Sequence, residues 1–421
     1  MIEKNNYEIK IIDAPAENFS FEKTVKEILR FCPDIIGIYT NISNFKVAEK
    51  LFSAIKRINK KVITVVGGPF ASSNIEMIKN IDIDYLVCGE GEYAFLELIK
   101  NLEVNKKYEK INGVAFYKNG KVVFKRPKFI KNLDELPVRA WHLLPIKKYR
   151  PSPVSYKKLP AISTITSRGC PFKCIYCDKN IFGHIYRASS IERVVKELTV
   201  LKGYGFKDIN FWDDNFTLNK DRTEKLVERI NDCDLIWNCS TRVNLVNKKM
   251  LEILSKNGCY EIGYGIESGS VRILKYMRKG ITIKQIKKAV QLTKKAGMGV
   301  KLYFMIGFPD ETEKDIQKTL NLAKELNPDY VHFGILTPLP GTEIYEMVSN
   351  SIPEYEYDYY SMNFSINKNF TFEELKELLF KAYKEFYLRQ KYILKMFLKI
   401  HSFEDIRRYY LGVKSIILEN L

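Results

Sequence analysis

The chain has 421 residues, 46% of them hydrophobic and 28% charged, with a formal net charge of +18. That length exceeds what one hydrophobic core usually organises and predicts two domains, or three if the tail folds separately; no stretch is long and apolar enough to argue for a membrane span. The positive charge would suit nucleic acid, an anionic membrane surface or an acidic substrate, but Lys recurs throughout without a dense block, as expected of a solvated coat on outer helices.

The start, MIEKNNYEIKIID, lacks the basic, apolar and small-residue order of a signal peptide, so a cytoplasmic location is expected. Residues 8 to 92 alternate β-branched runs with amphipathic stretches: EIKIID, SFEKTVKEILRF, DIIGIYT, FKVAEKLFSAIKRI, KVITVVGG, then EMIKN and DYLVCGEGE. This is a βαβ rhythm, and it predicts a parallel sheet with helices on both faces. Ligands of such sheets bind beyond the carboxyl ends of the strands, which here read Asp13-Ala14-Pro15, Thr40-Asn41, Gly67-Gly68-Pro69 and Gly89-Glu90-Gly91-Glu92.

GVAFYKNGKVVF predicts a hairpin turning at Asn119-Gly120, and NLDELPVRAWHLLP with YRPSPV reads as a Pro-punctuated linker. The expected divisions are therefore a first α/β domain over 1–130, a linker over 131–160, a second α/β unit over 161–350 and a helical region over 351–421. The second unit offers six strands, AISTITS, DINFWDD, LIWNCSTRV, YEIGYGIE, VKLYFMIG and YVHFGILTP, separated by helical stretches that often end in Gly. Apolar strands joined by helices predict a parallel sheet curved into a partial barrel, with no seventh or eighth strand. Beyond residue 350 the Tyr, Phe and Leu spacing reads as core packing of a small helical appendage.

Eight cysteines without an export signal, three of them within SRGCPFKCIYC, favour metal binding over disulfides. Thiolates are soft ligands for iron, and a 4Fe-4S cluster ordinarily takes four of them. Cys170, Cys174 and Cys177 supply three, leaving one iron open for a small molecule or for a distant Cys233, Cys239 or Cys259. The alternative is a three-Cys zinc site, for which His184 is poorly spaced.

A CxxxCxxC loop directly after the first strand of a six-strand repeat resembles the radical S-adenosylmethionine (SAM) superfamily. The resemblance implies a partial (β/α)6 barrel, a 4Fe-4S cluster on Cys170, Cys174 and Cys177, and SAM bound to the open iron. It further implies adenine beside Tyr176, the amino group near Asp213, Asp214 and Asn215, the carboxylate on Ser240 and Arg242, and the ribose on Glu267. Gly307 in FMIGFPDET and Pro338 to Thr342 match the family's fifth and sixth strand ends. The usual Gly-Gly-Glu is absent after the second strand.

A flavodoxin-like domain ahead of such a barrel resembles the cobalamin-binding branch of that superfamily. On that resemblance Thr40, Asn41, Gly67, Gly68 and Pro69 would line the cobalamin nucleotide loop, with Gly89 and Glu90 closing the domain. Two departures stand out. The family domain opens with a central strand before the segment matching EIKIIDAP, and the Asp-x-His-x-x-Gly source of a lower His ligand is missing, the only histidines being His142, His184, His332 and His401.

The function these resemblances imply is cobalamin-dependent methylation of an unactivated carbon by way of a 5'-deoxyadenosyl radical. Its substrate would be a small molecule, lipid or peptide lying between the domains, and its electron donor a protein such as ferredoxin or flavodoxin. The alternative is a radical SAM cyclase, oxidoreductase or carbon-carbon coupling enzyme without functional cobalamin. A methylthiotransferase would want three further cysteines where only Cys32 and Cys88 occur, and a nucleic-acid-binding module would want aromatics interleaved with Lys and Arg, so no nucleic acid is expected.

Overall fold

The computed structural model describes residues 1–79, 81–104, 111–349, 364–400 and 402–418, with side chains to residue 412. In the first sheet β1 (Ile35–Tyr39), β2 (Ile63–Gly67) and β3 (Tyr85–Val87) run parallel. The hairpin β4 (Val114–Lys118) and β5 (Lys121–Phe124) joins β3 antiparallel, in the order β1-β2-β3-β4-β5. Its turn falls at Asn119 and Gly120, both at positive φ, as a tight hairpin needs. Phe52, Val66, Leu86 and Leu98 form the centre of this core.

The expected strand over EIKIID is not formed. In the flavodoxin-like order 2-1-3-4-5 the second strand pairs only with the first, and no strand precedes Ile35 among the described residues, so strand propensity has nothing to pair with. The segment instead leads to Asp13, which caps the short helix Ala14–Glu17 through the Ala16 N–H (3.1 Å) and accepts from Tyr149 OH of the linker (3.0 Å). Of EMIKN, the described residues Glu76 to Lys79 lie in a 3-10 turn, Ile75–Lys79, before β3.

All six strands of the second unit are present. β6 (Ala161–Thr164) is followed by the small hairpin β7 (Ser167–Arg168) and β8 (Arg187–Ala188), then by β9 (Asp208–Phe211), β10 (Ile236–Thr241), β11 (Cys259–Glu267), β12 (Gly299–Ile306) and β13 (Tyr330–Ile335). The large sheet runs β13-β12-β11-β10-β9-β6, with every pair parallel. Side chains alternate across it: Phe211, Trp237, Ile262, Leu302 and Phe333 enter the core, while Asn238, Ser240, Glu261, Lys301, Tyr303 and His332 share the opposite, inner face.

An open barrel has exposed edges, and the C-terminal region closes one of them. The helix Phe372–Tyr387 lies along β13, where Tyr383 OH meets the N–H and C=O of Phe333 (3.1 and 2.9 Å) and Tyr387 OH those of Val331 (3.0 and 2.7 Å). Two tyrosine hydroxyls thus occupy backbone groups that a seventh strand would have taken. At the amino ends of the strands, Lys301 donates to Val154 O (2.6 Å) and Asp208 accepts from the N–H groups of Lys157 and Lys158 (2.6 and 3.1 Å), so the linker plugs that mouth. Access is left at the carboxyl ends.

Candidate active site

The cysteine loop leaves the carboxyl end of β6 and is clasped at its base by β7 and β8. Gly169 makes the entry: a Cβ there would overlap Ile185 O and lie 2.9 Å from Ile185 C, so no other residue fits before Cys170. Cys170, Cys174 and Cys177 are all free thiols, and they interact electrostatically with one another. Asn215 Nδ2 donates to Cys170 Sγ (3.2 Å) and Arg242 Nη1 approaches Cys174 Sγ (3.5 Å). Amide and guanidinium donors aimed at sulfur suit thiolates carrying a cluster.

Cys233, Cys239 and Cys259 lie instead in the hydrophobic core behind the sheet, so the loop has three thiols and not four. The donor set fits a cubane with one iron left open.

The surroundings fit an amino-acid group on that iron. Asn215 is buried, its Nδ2 is spent on Cys170, and its Oδ1 has no partner, leaving an acceptor available to an ammonium. Asp214 accepts the Gly169 N–H, whereas buried Asp213 takes the Thr166 N–H (3.0 Å) and the hydroxyls of Thr166 and Ser167, tying β9 to the loop. Burial raises the Asp213 carboxyl above its ordinary range. Arg242 stacks on Phe172 (3.8 Å to the ring centroid) and donates to Asn244 and to the backbone oxygen of Lys279. Ser240 is placed deeper, beside Gly263 and Tyr303, and shares no hydrogen bond with the loop.

Glu267 ends β11 at a bulge, with φ +70°, a conformation rare outside glycine. Its Oε1 accepts from Lys279 Nζ (2.7 Å) and Tyr176 OH (3.2 Å), and Lys279 Nζ also donates to Tyr176 OH (3.0 Å). Burial and the Glu267 charge push the Tyr176 phenol far up, keeping it a neutral donor. Gly307, at the end of β12, and Phe308 donate their N–H groups to Glu311 Oε2 (2.7 and 3.2 Å), and Phe308 meets Tyr176 edge-on at 6.3 Å between ring centroids. Tyr176, Glu267 and Gly307 are thus brought to one rim with the cysteine loop.

Lys279 and Glu311 are additions that the sequence did not disclose. A single Lys in MRKG of a Lys-rich chain looks like surface coat, yet this one is buried. Glu311 within GFPDET offered a better signal, an acidic residue following a Gly-Pro strand end.

The first domain presents its strand ends to the same rim. After β2 the helix Pro69–Ser73 touches the cysteine loop: Ser73 OH accepts from Asn180 Nδ2 (2.9 Å) and donates to Asp178 (3.3 Å). A Cβ on Gly341, in TPLPGT after β13, would lie 3.3 Å from Ser73 Oγ, so three loops meet there.

The residues expected to line a cobalamin divide into two groups. Gly67, Gly68 and Pro69 carry no functional side chain, and their backbone serves the turn: Gly67 O accepts the Thr40 N–H (2.7 Å), Gly68 O accepts the Ser72 N–H and hydroxyl (3.0 and 2.9 Å), and a Cβ on Gly68 would overlap Thr40 O. Thr40 and Asn41 spend their polar atoms locally: Thr40 Oγ1 donates to Gly67 O (2.9 Å), and Asn41 Oδ1 accepts from Ser43 N and Asn44 N (2.9 and 3.2 Å). Glu90, expected to close the domain, spends its side chain on the second unit. Its fully buried carboxylate accepts from Arg168 (2.5 Å), Arg187 (2.6 Å) and Ile130 N (2.8 Å), which makes it a strut between the first domain and the hairpin below Cys170; Gly89 packs on Pro127. The first 130 residues contain no histidine, so this domain offers a cobalamin no ligating imidazole.

Three thiols after the first strand of an open parallel barrel, with an unpaired acceptor and a guanidinium beside them, define an enzyme class that cleaves a bound sulfonium at an iron-sulfur cluster. Comparison with known proteins agrees: residues 164–323 match the Radical SAM superfamily and residues 1–99 the B12 binding domain. An uncharacterized methyltransferase of Pyrococcus horikoshii is 38% identical over 411 residues, covering 95% of this chain and 88% of its own. The chain belongs to the radical SAM superfamily, among members that carry a B12 binding domain, and is a radical SAM enzyme.

The anaerobic magnesium-protoporphyrin IX monomethyl ester cyclase of Rubrivivax gelatinosus is 26% identical over 431 residues, spanning 98% of this chain and 76% of its own. In fold, the chain is similar to the cobalamin-dependent SAM radical enzyme OxsB, with TM-score 0.72, 19% identity, and coverage of 95% of this chain and 65% of that one. It is also similar to the radical SAM methyltransferase TsrM of Kitasatospora setae, with TM-score 0.69, 18% identity, and coverage of 83% and 70%. No helix among the described residues is long and apolar enough to cross a membrane.

Proposed function

We propose that the chain is a cobalamin-dependent radical SAM methyltransferase acting on an unactivated carbon of a small-molecule, lipid or peptide substrate held between the two domains. Cys170, Cys174 and Cys177 hold the cluster; Asn215 and Asp214 meet the SAM amino group, Arg242 and Ser240 its carboxylate, Glu267 its ribose and Tyr176 with Gly307 its adenine. When bound, these cofactors supply one-electron cleavage of a sulfonium and a carrier for the methyl group, chemistry that side chains lack. The residues bind and orient: Arg242 presents its guanidinium, Asn215 its free amide oxygen, and Tyr176 stays protonated as a donor.

The observation that carries the reading is the junction at Ser73, where the strand-end helix of the B12-type domain meets Asp178 and Asn180 of the cysteine loop. Two cofactor rims thereby face one space, as transfer between them requires. The methyltransferase relative supports it. Electrons would come from a reduced ferredoxin or flavodoxin.

A cyclase or oxidative radical reaction is the second reading, favoured by the cyclase relative. Anaerobic reconstitution with iron, sulfide and cobalamin, followed by reduction with SAM, separates the two. Methylation yields 5'-deoxyadenosine together with S-adenosylhomocysteine, whereas deoxyadenosine alone supports the second reading.

A further inference from the structure

Lys279 is a buried cation to which neither the superfamily match nor the sequence reading gives a role. It follows the short helix Val271–Tyr276 beyond β11, and the site bends to admit it. A Cβ on Gly265 would overlap Glu267 Oε1 and lie 3.0 Å from Lys279 Nζ, so β11 carries glycine where the Glu267–Lys279 pair must fit. The pair is sealed from water, both side chains being under 10% exposed, so its charges interact more strongly than a surface pair would.

Its connections reach both ends of the SAM site. Nζ donates to Glu267 Oε1 and Tyr176 OH, and Tyr176 OH donates to the same Oε1, closing a ring of three hydrogen bonds. Oε1 is thus filled, while Oε2 takes no hydrogen bond from the described residues. From the same residue the backbone oxygen accepts Arg242 Nη2, which turns Nη1 toward Cys174 Sγ.

We propose that Lys279 is a positioning residue that locks Glu267 with one oxygen free for the ribose hydroxyls while its backbone fixes Arg242 for the methionyl end. This rests on the SAM site proposed above. Because each link is a charge-assisted hydrogen bond in a buried place, losing the ammonium should weaken nucleoside binding by about tenfold or more.

The test measures calorimetric affinity for 5'-deoxyadenosine, which lacks the methionyl group and needs no open iron, alongside SAM binding read from the EPR spectrum of the reduced cluster. Reconstituted wild-type, Lys279→Met and Lys279→Arg proteins are compared, with iron content and thermal unfolding recorded for each. Lys279→Met is expected to lose at least about tenfold in deoxyadenosine affinity at unchanged iron content, and Lys279→Arg to recover part of it. If Lys279→Met fails to fold, Gly265→Ala, which displaces the pair without removing a charge, should show the same loss. Wild-type binding with equal affinity in a folded variant overturns the role of Lys279 alone. Failure of the wild type to bind deoxyadenosine or SAM overturns the SAM site and the proposal together.

Discussion

The two rims that face each other are built by opposite means. At the barrel rim, polar side chains are held rigidly with valences left over: Asn215 Oδ1 is buried without a partner, and Glu267 has one carboxylate oxygen filled by Lys279 and Tyr176. At the rim of the first domain the side chains are spent on the protein itself, Thr40 on Gly67 O, Asn41 on its own turn and Glu90 on two arginines. The difference teaches how each rim can hold a ligand. The barrel selects charged groups by directed bonds, whereas the first domain has Gly67 O and Gly68 O, like its side chains, already paired within the protein.

The largest expected effect tests the barrel side. Cys174→Ala should lower the iron bound per chain and bring 5'-deoxyadenosine formation to background, because a cluster held by two thiolates loses both its anchor and its contact with Arg242. A variant with full iron and activity would remove Cys174 from the site.

Next comes the strut. Glu90→Gln leaves buried Arg187 without its carboxylate and Arg168 with Glu92 alone, and removing one partner of such a buried cluster costs about 3–5 kcal/mol. Chemical denaturation should show this loss, and a change below about 1 kcal/mol, the range of an exposed pair, would mean that the contact is wet.

A smaller effect is read from pH. Burial pushes the Glu311 carboxyl up to about 7 from an ordinary 4.5 despite the N–H groups of Gly307 and Phe308. The folded chain therefore holds this proton more tightly than the unfolded chain, so the contribution of Glu311 to stability is fully present below about 4.5 and is lost as pH rises through about 7. Glu311→Gln should flatten that decline, with Asp208, raised by burial to about 6, leaving a shallower slope. An unchanged slope would contradict the burial of Glu311. Smallest is Thr40→Val, expected to cost about 1 kcal/mol through its lost bond to Gly67 O and to leave cobalamin absorbance unchanged. Loss of cobalamin from that variant would show a direct contact.

The legible features were those that depend on near neighbours in sequence. The six barrel strands announced themselves as apolar runs with helices between, and the cysteine loop by spacing alone, because loop geometry is set within eight residues. EIKIID misled because propensity says what a segment can do, while forming a strand needs a partner. Glu90 was expected only to close its domain after a strand end. That it meets Arg168 and Arg187 depends on how two domains dock, which no local pattern encodes. Lys279 was hidden for the same reason, its partners Tyr176 and Glu267 lying 103 and 12 residues away. The tyrosines of the C-terminal helix were read correctly as packing, but their hydroxyls also finish the edge of β13, a task visible only once the barrel is known to stay open.

The most direct measurement is the EPR spectrum of the anaerobically reconstituted, reduced protein before and after SAM is added. A 4Fe-4S signal whose g-values shift on SAM addition, lost in Cys174→Ala, is the predicted result. A spectrum that SAM leaves unchanged, or a protein that retains zinc and takes up no iron, would contradict it.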